Sequence, residues 1–232
     1  MSKESGVPTF RDAFGLWNSH EVDEVASRKA WDDQQSRTAL LNFHAERWHE
    51  VRRAEPNAAH RAIANLEEKF DVLNITQNFD DLLERAGCSN VWHLHGDILT
   101  GKCEWHVSAG CLYDNRNYTC DYRTLLQEPV KLGDQCPKCG GQMRPDVVWF
   151  GECVDMKPEL VKELVSKTEV FVAVGTSAQV QPAAGLLTKF VPAPKKYYID
   201  PRPPRRPRSF TRLKGTAGYY VPVLAKELLA GC

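Results

Sequence analysis

The apolar residues of this chain fall into short runs separated by stretches in which they recur at helical spacing. Val72-Leu73-Asn74-Ile75 and Val91 to Leu94 read as two strands, joined by a helix that Gly87 ends in a left-handed cap. Val147 to Glu152, Val170 to Val174 and Lys196 to Ile199 read as three more, and a last strand is expected near Tyr219–Val221. Val170-Phe-Val-Ala-Val174 is apolar throughout, the pattern of a strand buried on both faces. Pro56 opens a helix expected over Ala58–Phe70, Pro158–Lys167 forms a short one, and Pro222–Leu229 closes the chain. Strands alternating with helices predict an α/β fold, a Rossmann-like doubly wound parallel sheet.

Two segments interrupt the alternation. Residues 23–53 are charged and helical, with Trp31, Leu40, Leu41, Phe43 and Trp48 supplying partial apolar faces. Residues 101–143 form an insert that holds five of the eight cysteines. The two segments are expected to make a small module beside the parallel core. A length of 232 residues suits one such domain with an insert.

Charge and hydropathy narrow the function classes. Thirty basic and thirty acidic residues leave no net charge, so nothing global favours nucleic acid or an anionic membrane. No apolar run approaches the roughly 18 residues of a membrane span. No charged n-region followed by an apolar h-region opens the chain, and a cytoplasmic protein is expected. In such a compartment clustered cysteines favour a metal over disulfides.

The stretch from Thr76 to Gly96, TQNFDDLLERAGCSNVWHLHG, concentrates the candidate chemistry. Ligands of open α/β sheets sit outside the carboxyl ends of the strands. Gln77, Asn78 and Asp80 follow one expected strand, and His95, a titratable base, follows the next. Gly175-Thr176-Ser177 ends the Val170–Val174 strand in a turn able to approach a ribose or phosphate.

These residues resemble those of the sirtuin (Sir2) family of NAD-dependent protein deacylases. TQNxD followed by LHG matches the family core. Ser5-Gly-Val-Pro-Thr-Phe-Arg11 resembles its SGIPTFR, and Arg144 to Glu152 its RPxVVWFGE. Gly175-Thr-Ser177 with Pro182-Ala-Ala184 resembles its GTSxxVxPAA, and Pro56 to Arg61 is a further match. The resemblance implies NAD as cofactor and an acyl-lysine protein or peptide as substrate. It implies His95 as the general base. The cofactor contacts it implies are Phe10, Arg11, Gln77, Asn78, Asp80, Gly175, Thr176, Ser177, Asp200, Gly215 and Ala217. It implies that the strand carrying Val148, Phe150 and Gly151 pairs with the substrate peptide. His44 and Arg47 stand where acidic-acyl-preferring members carry a Tyr-x-x-Arg that reads a carboxylate, so deacetylation and desuccinylation both remain open. Arg47 pairing with Glu50 or Glu46 on its own helix is the competing reading.

The sequence departs from the family in four places. The family opens with an apolar strand and a GAGxS turn that cradles the NAD diphosphate. Ser2 aligns with the last residue of that turn, and the strand and glycines are not in this sequence. Asp200 replaces a common Asn, Leu83 a common His, and Phe79 a smaller aliphatic residue. The absent turn keeps a catalytically silent NAD-binding module open as an alternative, and NAD hydrolysis or mono-ADP-ribosyl transfer could use the same pocket.

In the insert, Cys136-Pro-Lys-Cys139 has the spacing that turns two thiolates toward one ion. Cys103 stands where the family has the first cysteine of a second pair. His106 follows three residues later, an acceptable zinc spacing. Cys111 and Cys120 compete for the fourth position. Four protein ligands leave no open coordination site, so one structural zinc is expected.

Overall fold

A computed structural model of the chain describes residues 1–8, 22–106, 120–190, 192–204 and 208–231. Phe10, Arg11 and Cys111 lie outside the described residues. After a 3-10 turn at Ser2–Ser5, the first helical segment comprises α1 (Val22–Val25), α2 (Arg28–Asp32) and α3 (Ser36–Arg53). Helix α4 (Ala58–Leu66) opens in a capping box. The Asn57 side chain accepts from the Ala59 amide at 2.9 Å, and His60 Nδ1 accepts from the Asn57 amide at 3.1 Å. This helix stops short of Phe70 because residues 67–69 close in tighter i→i+3 turns.

Strand β1 (Asn74–Thr76), shifted toward the carboxyl end of the expected Val72–Ile75 run, is followed by helix α5 (Leu82–Arg85), which ends before Gly87, and by strand β2 (Val91–His93), within the expected Val91–Leu94. The insert is built on β3 (Gly96–Cys103), β4 (Arg123–Leu125) and β5 (Met143–Val147), an antiparallel sheet with β3 in the middle. Helix α6 (Pro158–Lys167) and β6 (Val170–Val174) have the expected bounds. The chain continues through α7 (Ala184–Lys189), β7 (Lys195–Ile199), β8 (Thr211–Leu213) and α8 (Ala217–Ala230).

Three expectations are corrected. The strand over Val147–Glu152 ends at Val147. Beyond it the Arg144 guanidinium lies 3.4 Å over the Trp149 ring and donates to Glu152 at 2.9 Å and to the Val147 carbonyl at 2.8 Å, folding the segment back on itself. The strand near Tyr219–Val221 is instead the first turns of α8. Val221, Leu224, Ala225 and Leu228 recur at helical spacing and are buried. Lastly, β6 is buried only at Ala173, whereas β5 is buried along its length.

The parallel strands lie in two sheets, β1-β2 and β6-β7-β8. Gln77 Nε2 donates to Thr176 Oγ1 at 3.2 Å and joins the carboxyl ends of β1 and β6. One apolar cluster unites Trp31, Leu40 and Val51 with Ile98, Cys103, Cys136 and Trp149, so helices α2 and α3 share a core with the cysteine insert. A second packs α4 and α8 against Ile199 of β7. Among the described residues no helix is long and apolar enough to cross a membrane.

Candidate active site

Gln77, Asn78 and Asp80 leave the carboxyl end of β1 in a turn whose groups are individually fixed. Asn78 donates its backbone amide to Thr76 Oγ1 at 3.0 Å and its side-chain amide to Ser2 Oγ at 2.7 Å. Asp80 is buried, and its Oδ1 accepts from the Leu82 amide at 3.3 Å. Burial pushes its carboxyl above the usual carboxylate range, against the opposing pull of the Ser2 hydroxyl, that amide and His93.

His95 lies just beyond β2. Its Nδ1 is 2.9 Å from the Gln77 carbonyl, and Nε2 makes no hydrogen bond to a described residue. A carbonyl only accepts, so Nδ1 carries the proton and Nε2 presents a lone pair. Burial lowers the ring's pKa, and the bond to Gln77 only partly opposes this. The result is a neutral imidazole with one nitrogen available as a base. Gly96 fixes the position. Its φ is +80°, and a Cβ there would stand 1.9 Å from the Asp146 carbonyl oxygen. Only glycine lets β3 leave His95 so close to β5, where Val148 donates its amide to the His95 carbonyl at 2.9 Å.

The remaining expected cofactor contacts gather along β6, β7 and the start of α8. Gly175 has φ +60°, and Thr176 receives Gln77 as above. The Thr176 carbonyl accepts from the Tyr198 hydroxyl at 2.6 Å, with Ser177 next in the turn. The Asp200 carbonyl accepts from the Gly215 amide at 3.2 Å. A Cβ on Gly215 would meet the Tyr220 ring at 2.4 Å. The amides of Ala217 and Gly218 donate to the two carboxylate oxygens of Glu4 at 3.0 and 2.9 Å. Ser2, together with Glu4, which the sequence did not single out, thus ties the first residues to this site.

On the other side, Phe150 is exposed and Gly151 has φ +86°. Phe150 exchanges backbone bonds with the loop before α2, donating to Ala26 and accepting from Arg28, each at 2.8 Å. His44 and Arg47 are both buried. His44 Nδ1 bonds the Leu40 carbonyl at 2.8 Å, and Nε2 accepts from Trp149 Nε1 at 3.2 Å. Burial lowers its pKa to about 4. The Arg47 guanidinium lies 2.7 Å from Glu50 and 3.7 Å from Glu46. The pairing within its own helix is therefore the one realised.

In the insert the ligand atoms of Cys103, Cys120, Cys136 and Cys139 all lie within 4.8 Å of one another. Two pairs are separated by 3.4 and 3.7 Å. A tetrahedral ion with bonds near 2.3 Å needs sulfurs about 3.8 Å apart, so the four fit one zinc. Among the described residues the fourth member of the cluster is Cys120 rather than His106. A bridge sets the two residues side by side, with the Cys120 amide donating to the Trp105 carbonyl at 3.1 Å. The thiol, not the imidazole, joins the cluster. The two cysteine pairs come from distant parts of the insert, which is why spacing alone left this position open.

Known proteins offer a comparison for this geometry. Residues 1–182 match the model of the Sir2 family. An "NAD-dependent protein deacylase" of Helicobacter pylori is 41% identical over 202 residues, covering 87% of this chain and 81% of that protein. "NAD-dependent protein deacylase Sir2" of Mycolicibacterium smegmatis is 38% identical over 235 residues, covering 98% and 92%. Among solved structures, a Sir2 homolog–NAD complex superposes with a TM-score of 0.83 at 33% identity, covering 99% of this chain and 86% of that one.

Proposed function

The chain belongs to the Sir2 family, and from that membership we propose that it deacylates acyl-lysine side chains of proteins in an NAD-dependent reaction, with His95 as general base. NAD supplies the ribose that takes up the acyl group, releasing nicotinamide and an acylated ADP-ribose. His95 Nε2 accepts the proton of a ribose hydroxyl, and Nδ1, bonded to the Gln77 carbonyl, keeps the ring in the tautomer that can do so. That single-sided hydrogen bonding is the observation that carries the assignment. Asn78 and Asp80 hold the nicotinamide end. Gly175–Ser177, Asp200, Gly215 and Ala217 line the rest of the cofactor site, and the family resemblance adds Phe10 and Arg11 as cofactor contacts. The substrate backbone lies beside Val148, Phe150 and Gly151, where the Val148 amide and the Phe150 amide and carbonyl are already bonded within the chain.

Zinc at Cys103, Cys120, Cys136 and Cys139 is structural, since four thiolates fill a tetrahedral ion. We read the chain as one catalytic unit, a parallel core with a small module of the 23–53 helices and the insert. The acyl group is neutral in this reading. Arg47 is enclosed and ion-paired with Glu50, with Nη1 left without a hydrogen-bond partner among the described residues, so a succinyl carboxylate would have to displace Glu50 to pair with it. Nicotinamide release should be faster with acetyl-lysine than with succinyl-lysine peptides at equal concentration. Faster turnover of the succinyl peptide would show that Arg47 leaves Glu50 to bind substrate.

A further inference from the structure

His93 is the last residue of β2, and His95 lies two residues on, in the turn that follows it. Their surroundings differ. His93 Nδ1 is 3.1 Å from the Asn78 carbonyl oxygen, and Nε2 is 2.7 Å from Glu84 Oε1. Both neighbours are acceptors, since a carbonyl never donates and an ionised carboxylate only accepts. A neutral ring can satisfy one of them and must turn a lone pair toward the other. Only the doubly protonated ring serves both. His95 faces a single acceptor and is satisfied as the neutral tautomer.

We propose that His93 is a positioning residue of the NAD site, an imidazolium held between Glu84 and the Asn78 carbonyl that fixes the Gln77–Asn78 turn beside the neutral His95. The inference rests on reading that turn as the nicotinamide side of the site. The two histidines hold consecutive carbonyls of one turn, His95 that of Gln77 and His93 that of Asn78. The register strengthens the geometry, because His93 pairs with Thr76 at the last position of β1 and Leu94 donates to the Thr76 carbonyl at 2.9 Å. Charged groups around His93 are Glu84 of α5, Asp97 of β3 and Asp80 of the turn, all carboxylates, with His95 the other titratable group on its own segment. Burial opposes the charge, but the Glu84 bond and charge outweigh it and raise the pKa, while burial lowers that of His95. Neighbouring groups pushed apart in this way divide the work between a fixed cation and a base. The signal in sequence is the His-x-His spacing with Glu84 in the preceding helix.

The test uses the full chain with labelled histidine ring nitrogens. At pH 6.5, where an unperturbed histidine is about half protonated, His93 should be mainly doubly protonated and His95 mainly the Nδ1–H tautomer. Glu84→Gln should move the His93 titration to lower pH. In steady state, His93→Gln should lower kcat/KM for NAD about tenfold, a loss in the range of imperfect positioning. It should also remove the alkaline fall in the wild-type pH profile while leaving the acidic limb. Should His93→Gln fail to fold, Glu84→Gln carries the test, with its alkaline limb shifted to lower pH. Normal turnover with a His93 that titrates at or below an ordinary histidine overturns the proposal alone. Absence of NAD turnover in the unaltered chain overturns the positioning role together with the reading on which it rests.

Discussion

At Gly96 the local backbone sets what the site can be. A methyl group there overlaps the Asp146 carbonyl, and the positive φ disfavours any side chain. Gly96→Ala should cost at least about 2 kcal/mol of stability by urea unfolding, and should weaken the Val148–His95 backbone bond that seats the base. Single residues were unevenly legible in the sequence. His95, Asn78 and Asp80 stood in one contiguous motif, so their meeting at the ends of β1 and β2 needed only strand pairing. His44 and Arg47 fitted a substrate pocket equally well until the packing was known. Trp149 Nε1, 105 residues away, donates to His44, and Glu50 is within reach of Arg47 from the next turn. The i,i+3 spacing allows the Arg47–Glu50 pair without deciding for it, and the Trp149–His44 bond leaves no trace in local spacing.

Among the elements, the most legible were those whose signals are local. Pro158 and an amphipathic pattern bound α6, and an apolar run bounds β6. Helix α8 was harder, because Pro222 lies inside it and Glu4, more than two hundred residues earlier, supplies the acceptors for its first amides. Glu4→Ala should lower stability by about 1 kcal/mol, read as a drop in thermal midpoint, as for loss of a helix cap. The insert behaves as an element of its own. Cys120→Ser should reduce bound zinc well below one ion per chain by elemental analysis, whereas His106→Ala should retain it. Equal loss from both would return His106 to the ligand set.

Across the whole molecule, buried histidines couple the fold to pH. His44 Nε2 accepts from Trp149, and His60 Nδ1 accepts from the Asn57 amide, so protonating either acceptor breaks a bond in the core. Burial lowers both pKa values to about 4, below the ordinary value near 6.5. Between those values the unfolded chain binds more protons than the folded one. The contribution of these two histidines is therefore full above about pH 6.5 and falls as the pH drops toward 4, with a slope approaching two protons, or about 2.7 kcal/mol per pH unit. Urea midpoints at pH 7 and pH 5 will show the fall. Strand and helix alternation revealed the α/β class, but not the division of the parallel strands into β1-β2 and β6-β7-β8, which depends on contacts between distant segments. The central claim is that His95 drives acyl transfer from lysine to NAD. The direct measurement is product formation by mass spectrometry, with an acetyl-lysine peptide and NAD. The account predicts nicotinamide and free lysine peptide in equal amounts from the unaltered chain, and at least a hundredfold loss of peptide turnover in His95→Ala. Undiminished deacetylation by His95→Ala would contradict it.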